Sequence, residues 1–299
     1  MRAASCLLAF ATAVSTATAA APPKADPPPT RRQIAALQIA LDNAGFSPGP
    51  IDGRVGPRHR TALRLARAAG LDPQPLADPW QEWTVPPDFL DGLRPVPESW
   101  LARAKLPAMP HQTPRERFAE KFHLSEGFAA YLNRALTNAT ALAVGDVLQV
   151  PLLAPAKLPK IARLEIRLAE KTVSALDASG KLLAAFPCSI ATKKEKRPLG
   201  VLFVKTIAPD PDYCFDPATF PEVPEAATIR SKLMIAPGSN NPVGEMWIGL
   251  DRPGFGIHGT PWPEDIGKTT SHGCFRLTNW DARRLATLVK IGTPVLVKE

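Results

Sequence analysis

The hydrophobic pattern of this chain changes its period near Ile161, and this change limits the fold more than any other feature. Before this point apolar residues recur at helical spacing, as at Ile34 and Leu37. After it, "ARLEIRL" at residues 162–168 alternates apolar and charged residues, the two-residue repeat of a half-buried strand. The pattern predicts a multidomain chain, with helical segments followed by a mainly β domain over residues 159–299.

Further strand signals follow in this β domain. "DASG" at residues 177–180 separates two apolar runs as a hairpin turn would, and "GVLFVKTIA", "EMWIGL" and "GFGIHG" continue the series. One helix is predicted in "WDARRLATLVKIG", with Asn279 as its cap and Gly292 just past its end. The arrangement is typical of a β-sandwich or a partly closed barrel that carries a helix or two.

The N-terminal residues have the features of a secretory signal peptide. Arg2 precedes a short apolar stretch, and small residues follow up to Ala19, so residues 1–19 are predicted to be removed on export. No later stretch approaches the ~20 apolar residues of a membrane-spanning helix, so no transmembrane segment is expected. We therefore expect the chain to be exported.

The proline content and the net charge of the chain limit its domain organisation and its partners. Proline accounts for 34 of 299 residues and is concentrated in two segments, predicted to be a linker at 20–30 and an extended connection at 72–113. The formal charge of +8 would suggest nucleic acid in a cytoplasmic protein. An exported chain meets cell-wall polymer or anionic lipid instead, so no nucleic-acid partner is expected, and a solvated positive surface is the simpler interpretation.

Three cysteines remain once the signal peptide is removed, and an odd count leaves one thiol free. One hypothesis pairs Cys188 with Cys214 in a disulfide, which leaves Cys274 as the free thiol. Sequence alone does not give the geometry of such a bridge.

Cys274 lies in "SHGCFRL", in a setting that suits a nucleophile. A thiol needs a nearby base or positive field, and imidazole supplies both; His258 and His272 are the two candidates, between which spacing does not decide. Gly273 leaves room beside the thiol and allows backbone N–H groups to point at an oxyanion. A zinc site at the same residues is disfavoured, because the cysteines lack close pairing. We therefore expect no metal or other cofactor.

"IHGT", followed by Cys274 in "SHGCFRLTNWDA", closely resembles the L,D-transpeptidase catalytic domain of the YkuD type. "RPLGVLF" at residues 197–203 and "NNPVGEMWIGL" at residues 240–250 extend the resemblance. It implies an L,D-transpeptidase fold for residues 159–299 and a role for each site residue. The implied roles are Cys274 as nucleophile, His258 as its base, His272 as a neighbour that orients the thiol, Ser271 and Gly273 as turn and oxyanion residues, and Arg276 and Gly259 as substrate contacts.

The reaction implied by this resemblance is acyl transfer in the cell wall. The thiol would take the acyl group of a tetrapeptide stem, release D-alanine and pass the acyl group to an amine. That amine would form a 3-3 peptidoglycan cross-link, attach an outer-membrane protein to peptidoglycan, or belong to a free D-amino acid. Two alternatives remain open: a cysteine L,D-carboxypeptidase or endopeptidase of the wall, and a non-catalytic wall-binding scaffold.

Two further resemblances concern the N-terminal half. "GFSPGPIDGRVG", flanked by two predicted helices, resembles a helical peptidoglycan-binding domain over residues 31–71. Residues 114–153, which close with "GDVLQVP", resemble a degenerate LysM module with an α/β fold. These two resemblances imply glycan and stem peptides of the wall as partners and, together with the signal peptide, a periplasmic protein associated with the cell wall. For residues 31–71 the alternative is a helical spacer.

Overall fold

The computed structural model describes residues 28–138, 142–220, 222–271 and 273–299. The predicted signal peptide and most of the predicted linker, residues 1–27, lie outside the described residues. Within the described ranges, no helix combines the length and the apolar character that a bilayer crossing requires.

The first described elements are two helices, α1 (Arg31–Ala44) and α2 (Pro57–Ala68). The Thr30 side chain accepts a hydrogen bond from the backbone N–H of Gln33, and the Gln33 side chain accepts one from the backbone N–H of Thr30. Gly45 ends α1 in the left-handed conformation, at φ 95°. Both predicted helices are therefore present, whereas their assignment to a peptidoglycan-binding domain stays a prediction.

A second segment combines two strands and three helices. They are β1 (Trp80–Thr84), α3 (Trp100–Arg103), α4 (Pro114–Lys121), α5 (Glu126–Leu132) and β2 (Val147–Pro151). β1 pairs antiparallel with β2, with Trp80 opposite Pro151. The LysM-like assignment of residues 114–153 stays a prediction, but the segment takes its first strand from outside that range.

Residues 72–113, predicted to be an extended connection, contain the strand β1 and the short helix α3. Aromatic packing is the physical reason: the Trp83 ring lies 4.9 Å from Phe89, 5.9 Å from Phe118 and 5.1 Å from Phe122. Burial of aromatic side chains contributes on the order of 2–3 kcal/mol each. This burial holds β1 in place in spite of the prolines that flank it.

The C-terminal part is mainly β, as predicted. Its strands are β3 (Arg163–Arg167), β4 (Thr172–Leu176), β5 (Leu182–Pro187), β6 (Ile190–Ala191), β7 (Gly200–Pro209), β8 (Tyr213–Phe215), β9 (Leu233–Ile235), β10 (Met246–Leu250), β11 (Gly256–His258), β12 (Thr269–Ser271), β13 (Phe275–Arg276) and β14 (Pro294–Lys298). Eight of them form one sheet in the order β13-β11-β10-β7-β14-β3-β4-β5, and the pairs β6/β12 and β8/β9 form two small sheets.

The large sheet curls until its two edges approach each other. Ser189 follows β5 at one edge, and Arg276 lies in β13 at the other. Their backbones exchange two hydrogen bonds, of 2.9 Å from the Ser189 N–H and 3.1 Å from the Arg276 N–H. Of the two predicted shapes, the partly closed barrel describes this sheet better than the sandwich, because one sheet curls around its own core.

Helix α6 (Asn279–Leu288) packs on this sheet and buries Leu285 and Leu288. Its cap is Thr278, and the prediction of Asn279 is wrong by one residue. Thr278 has an extended backbone, and its hydroxyl accepts from the Asp281 N–H at 3.2 Å, which satisfies a free donor of the first turn.

The predicted disulfide is absent, because Cys188 and Cys214 are free thiols. Cys188 is fully buried directly after β5, and burial raises its pKa to about 12. Cys214 is exposed in β8. The core therefore encloses one of the two thiols, while the other faces solvent.

The N-terminal helices are docked onto the β domain. The residues after α1 add to the edge of β5: the Ala185 N–H donates to the Gly45 carbonyl at 3.0 Å, and the Ser47 N–H donates to the Ala185 carbonyl at 2.9 Å. Pairing of this kind protects an edge that would otherwise expose free donors and acceptors. The Ser47 hydroxyl also donates to the carboxylate of Asp281 in α6 at 2.7 Å.

Asp281 makes this junction sensitive to pH. It is 1% exposed, and burial, followed by the nearby Asp42 carboxylate, raises its pKa to about 7. Between about pH 4 and pH 7 the native carboxyl is protonated while the unfolded one is ionised. Stability therefore falls as the pH rises through this window, by up to about 1.4 kcal/mol per pH unit.

Asp281→Asn is expected to remove this pH dependence, because asparagine keeps an acceptor for Ser47 and does not ionise. Denaturation midpoints measured at several pH values should converge with those of wild type near pH 4 and exceed them near pH 7. Replacement of the exposed Asp212 by asparagine is the matched control and should leave the wild-type slope. Parallel slopes for wild type and Asp281→Asn would contradict the assignment.

Candidate active site

Two paired strands bring the segments of the predicted nucleophile and base side by side, although sixteen residues of sequence separate them. β11 and β13 pair in parallel, with Ile257 opposite Phe275 and His258 opposite Arg276. Ile257 and Phe275 are buried in the core of the sheet. Because alternate residues of a strand point to opposite sides, His258 and Arg276 lie on the side of the sheet opposite to Ile257 and Phe275. Cys274 directly precedes β13.

His258 is held as a neutral imidazole with one defined tautomer. Its Nδ1 lies 2.6 Å from the Gly259 carbonyl oxygen, an acceptor, so Nδ1 carries the proton and Nε2 carries the lone pair. Burial, followed by the charge of Arg276, lowers the pKa of His258 to about 4. The ring also stacks on Trp247, with centroids 5.5 Å apart. At neutral pH it is therefore oriented to accept a proton.

The Cys274 thiol is also neutral in the free protein. Its Sγ donates to the Gly254 carbonyl at 3.4 Å. Burial raises the pKa of Cys274 to about 11, and the backbone of Gly256 and the charge of Arg276 offset this only in part. A neutral thiol is a weak nucleophile, so attack requires a base that takes its proton at that moment.

A short turn between β12 and β13 presents the thiol. The Ser271 hydroxyl donates to the Cys274 carbonyl at 2.6 Å, and the Gly273 N–H donates to the Ser271 oxygen at 3.4 Å. Ser271 thus spans the turn, as its expected role requires. His272 lies outside the described residues, and the oxyanion role of the Gly273 and Cys274 N–H groups stays a prediction.

Arg276 and Tyr213 lie close enough to the thiol to influence it electrostatically. Burial and then the charge of Cys274 raise the pKa of Tyr213 to about 12. Burial lowers the pKa of Arg276, while Cys274 and Tyr213 oppose this effect. No described residue accepts a hydrogen bond from the Arg276 guanidinium, which leaves its donors available to a carboxylate.

Comparison with known proteins identifies this part of the chain. Residues 161–297 match the family model of YkuD, the L,D-transpeptidase catalytic domain. These residues are an L,D-transpeptidase catalytic domain. The match begins after the N-terminal helices and the segment of β1 and β2, so their resemblances stay predictions.

Individual relatives agree with this assignment over short stretches. The chain is 43% identical over 61 residues to YkuD of Bacillus licheniformis, and 37% identical over 75 residues to YqjB of Bacillus subtilis, both named as L,D-transpeptidases. These alignments cover 20% and 23% of this chain, and the chain spans only 37% and 43% of those relatives. A solved structure, L,D-transpeptidase 3 from Mycobacterium tuberculosis, is 18% identical with a TM-score of 0.37, covering 53% of this chain and 76% of that one.

Behind His258, the L,D-transpeptidase domain contains a buried amide that sequence reasoning did not select. A Cβ at Gly259 would lie 2.1 Å from Asn279 Oδ1, so Gly259 allows Asn279 to approach the backbone beside His258. Asn279 Oδ1 accepts from the Glu245 N–H at 3.2 Å, and Nδ2 donates to both Glu120 oxygens at 3.1 Å. Gly259 therefore has a packing role, while its substrate role stays a prediction.

Tyr213 was also missed, because a lone tyrosine in "DPDYCF" carries no recognisable motif. Its strand β8 is covered by α3 of the N-terminal half: the Trp100 ring stacks on Phe215 at 4.0 Å and lies 6.1 Å from Tyr213. The Glu225 carboxylate accepts from the backbone N–H of Trp100 at 2.6 Å. Only the tertiary structure places Tyr213 near the thiol and Trp100 near Tyr213.

Among the described residues, no three His, Cys, Asp or Glu side chains lie close enough together to hold a metal ion.

The state of the thiol gives a direct prediction. A pKa of Cys274 near 11 means that little thiolate forms below about pH 9. The ultraviolet absorbance of thiolate, taken as the difference between wild type and Cys274→Ser, should therefore be near zero at pH 7 and appear only above about pH 10. Substantial absorbance at pH 7 would instead indicate a preformed thiolate–imidazolium pair. The Cys214→Ser variant is the control that shows the contribution of the exposed thiol.

Proposed function

We propose that this protein is a periplasmic L,D-transpeptidase that transfers the acyl group of a peptidoglycan tetrapeptide stem through Cys274 to an amine. The observation that carries the proposal is the pairing of β11 with β13. Within an L,D-transpeptidase domain, it sets a buried neutral imidazole, protonated on Nδ1, on the strand paired with the segment that carries a thiol in need of a base.

In the first half of the reaction the stem is cleaved. Sγ attacks the carbonyl carbon that precedes the terminal D-alanine, and His258 Nε2 takes the thiol proton. The tetrahedral intermediate collapses with loss of the C–N bond. The D-alanine nitrogen receives the proton from His258 and leaves, so a thioester on Cys274 replaces the peptide bond.

In the second half an amine attacks the thioester. His258 takes a proton from the attacking nitrogen, a new amide bond forms, and the proton returns to Sγ as the thiol leaves. The diaminopimelate side chain of a second stem as acceptor gives a 3-3 cross-link. A lysine of an outer-membrane protein would attach that protein to the wall, and a free D-amino acid would give exchange.

Arg276 is suited to hold a substrate carboxylate near this centre. A guanidinium forms charge-assisted, bidentate hydrogen bonds with carboxylates. Its position one strand away from His258, on the same side of the sheet as the thiol, supports a role in orienting the stem. Tyr213, on the neighbouring β8, is placed to contact the same region.

The periplasmic location rests on the sequence of residues 1–19 and on the reaction itself, since peptidoglycan stems are found in that compartment. The helical and LysM-like resemblances of the N-terminal half support association with the wall.

Product analysis tests the proposal. The full mature chain is incubated with tetrapeptide stems, and the products are resolved by mass; cross-linked dimers or exchange products together with D-alanine are expected. Tripeptides alone would assign the protein to the hydrolytic alternative. Unchanged tetrapeptide, in a preparation that still binds sacculi, would favour the non-catalytic scaffold. Muropeptide analysis of cells that lack the protein then identifies the acceptor.

A further inference from the structure

A cleft of about 530 Å³ lies between the N-terminal half and helix α6, and neither Cys274 nor His258 lines it. One wall comes from the segment of β1 and α4, and the other from the L,D-transpeptidase domain. The first wall includes Trp83, His111 and Glu120, and the second includes Glu245, Trp280 and Arg283. A ligand in this cleft would contact both parts of the chain.

One buried N–H group in this cleft lacks a hydrogen-bond acceptor among the described residues. Trp280 is 8% exposed, and its Nε1 has no partner in the described part of the chain. The Ser239 hydroxyl donates to Glu245, so its oxygen accepts from His111 Nδ1 at 3.3 Å, and His111 Nε2 is left as an acceptor without a donor among the described residues. A buried polar atom without a partner is unfavourable, so the Trp280 N–H calls for an acceptor, and His111 Nε2 for a donor, from solvent or from a ligand.

Acceptors in the same cleft are held in fixed orientations. Both oxygens of Glu120 accept from Asn279 at 3.1 Å. Glu245 accepts from the Ser239 hydroxyl at 2.7 Å and from Arg283 Nε at 2.8 Å. Each carboxylate oxygen can accept more than one hydrogen bond, so both groups retain capacity toward a ligand.

Aromatic rings supply the apolar surface of the cleft. Trp83 packs against Phe89 and Phe122 at the base of the first wall. On the second wall Trp280 stacks on His123, with ring centroids 5.0 Å apart and planes 9° from parallel. Of these tryptophan and phenylalanine rings, Trp83 is the half-buried one, and a rigid ring fixed in this way offers a contact surface at a small entropic cost.

The charges around the cleft balance one another. Three carboxylates, Asp88, Glu120 and Glu245, face three cations, Arg117, Lys121 and Arg283. A cleft without an excess of either sign gives little advantage to an anion or a cation. It favours a neutral ligand with many hydroxyl or amide groups, which both donate and accept hydrogen bonds.

We propose that this cleft binds a neutral saccharide, the glycan of the polymer whose stem peptides the active site processes. The unpaired Trp280 donor would bind a hydroxyl or acetamido oxygen, His111 Nε2 and the fixed carboxylates would accept from hydroxyls, and the Trp83 ring would contact the sugar's C–H face. This identification of the ligand rests on the proposed function; the neutral, hydroxyl-rich chemistry rests on the cleft. Glycan bound here would hold the N-terminal half and the catalytic domain together on one polymer strand.

The experiment uses the full mature chain and a tetramer of N-acetylglucosamine as the neutral probe. In a spectrum of 15N-labelled indole groups, the Trp280 resonance is the one missing from Trp280→Phe. It should shift on addition of the tetramer, and calorimetry of that variant should give an affinity about 3- to 10-fold weaker, the loss expected for one hydrogen bond. Trp262→Phe, at an exposed tryptophan outside the cleft, is the matched control and should bind as wild type does.

Three results would overturn the proposal: no binding of the tetramer, equal affinity in wild type and Trp280→Phe, or a shift of the Trp280 resonance by a sugar-free stem tetrapeptide instead. Acylation of Cys274 by a carbapenem is measured on the same samples. It shows whether the saccharide proposal fails alone or the proposed transpeptidase function fails. Acylation without saccharide binding rejects the cleft alone. Saccharide binding without acylation or transfer rejects the transpeptidase proposal and leaves the cleft.

Discussion

Cys274→Ala is expected to reduce release of D-alanine from tetrapeptide stems by at least about 10⁴-fold and to abolish covalent labelling by a carbapenem. No other described thiol can replace it. Cys188 is fully buried with a pKa raised to about 12, and Cys214 lies exposed on β8. Loss of the nucleophile removes the thioester, and with it both halves of the reaction.

Intact-protein mass after incubation with a carbapenem measures this effect, together with product mass for the stems. Cys214→Ala is the matched control, since it removes an exposed thiol and should keep full labelling. Binding to sacculi should be the same in both variants, which shows that the chain is folded. Labelling that survives in Cys274→Ala would reject Cys274 as the nucleophile.

His258→Gln is expected to slow acylation of Cys274 by about 10²- to 10⁴-fold, the usual contribution of a general base. The effect should be large here because burial raises the pKa of Cys274 to about 11, so very little thiolate is present without the base. Glutamine keeps a donor for the Gly259 carbonyl and a similar volume, but it cannot accept the thiol proton. Single-turnover acylation followed by mass gives the rate.

His59→Gln makes the same change at another buried histidine, in α2, and should leave the acylation rate unchanged. The pH dependence provides a second readout. Burial lowers the pKa of His258 to about 4, so its basic form persists as the pH falls to about 5 and is lost only below that. A rate that falls near pH 6.5, where an ordinary imidazole titrates, would contradict this environment.

The strands of the catalytic domain could be predicted because each has a local pattern. Alternation at residues 162–168 matches β3, where Leu164 and Ile166 are fully buried. The "DASG" turn joins β4 and β5 as expected, with Asp177 accepting from the Ser179 and Lys181 N–H groups at 2.9 Å. β1 could not be predicted in the same way, because its stability comes from aromatic packing with α4, far along the chain.

The residues of the candidate site also differ in whether the sequence alone could predict them. Cys274, His258 and Arg276 stand in recognisable motifs, and the comparisons place these motifs in an L,D-transpeptidase domain. Tyr213 carries no motif, and Asn279 was considered only as a helix cap, since the roles of both depend on which residues the fold brings against them. The disulfide hypothesis failed for this reason: a count of cysteines says nothing about the depth at which each one lies.

The sequence by itself determined the order of the segments, the mainly β character of residues 159–299 and the candidates for the reactive groups. These properties follow from local periodicity and from residue chemistry, both of which are written in the chain. Only the tertiary structure decided the protonation states of Cys274 and His258, because desolvation sets them. It also decided that Glu120, Ser47 and Trp100 of the N-terminal half contact the catalytic domain, since contacts between residues so distant in sequence exist only after the chain has packed.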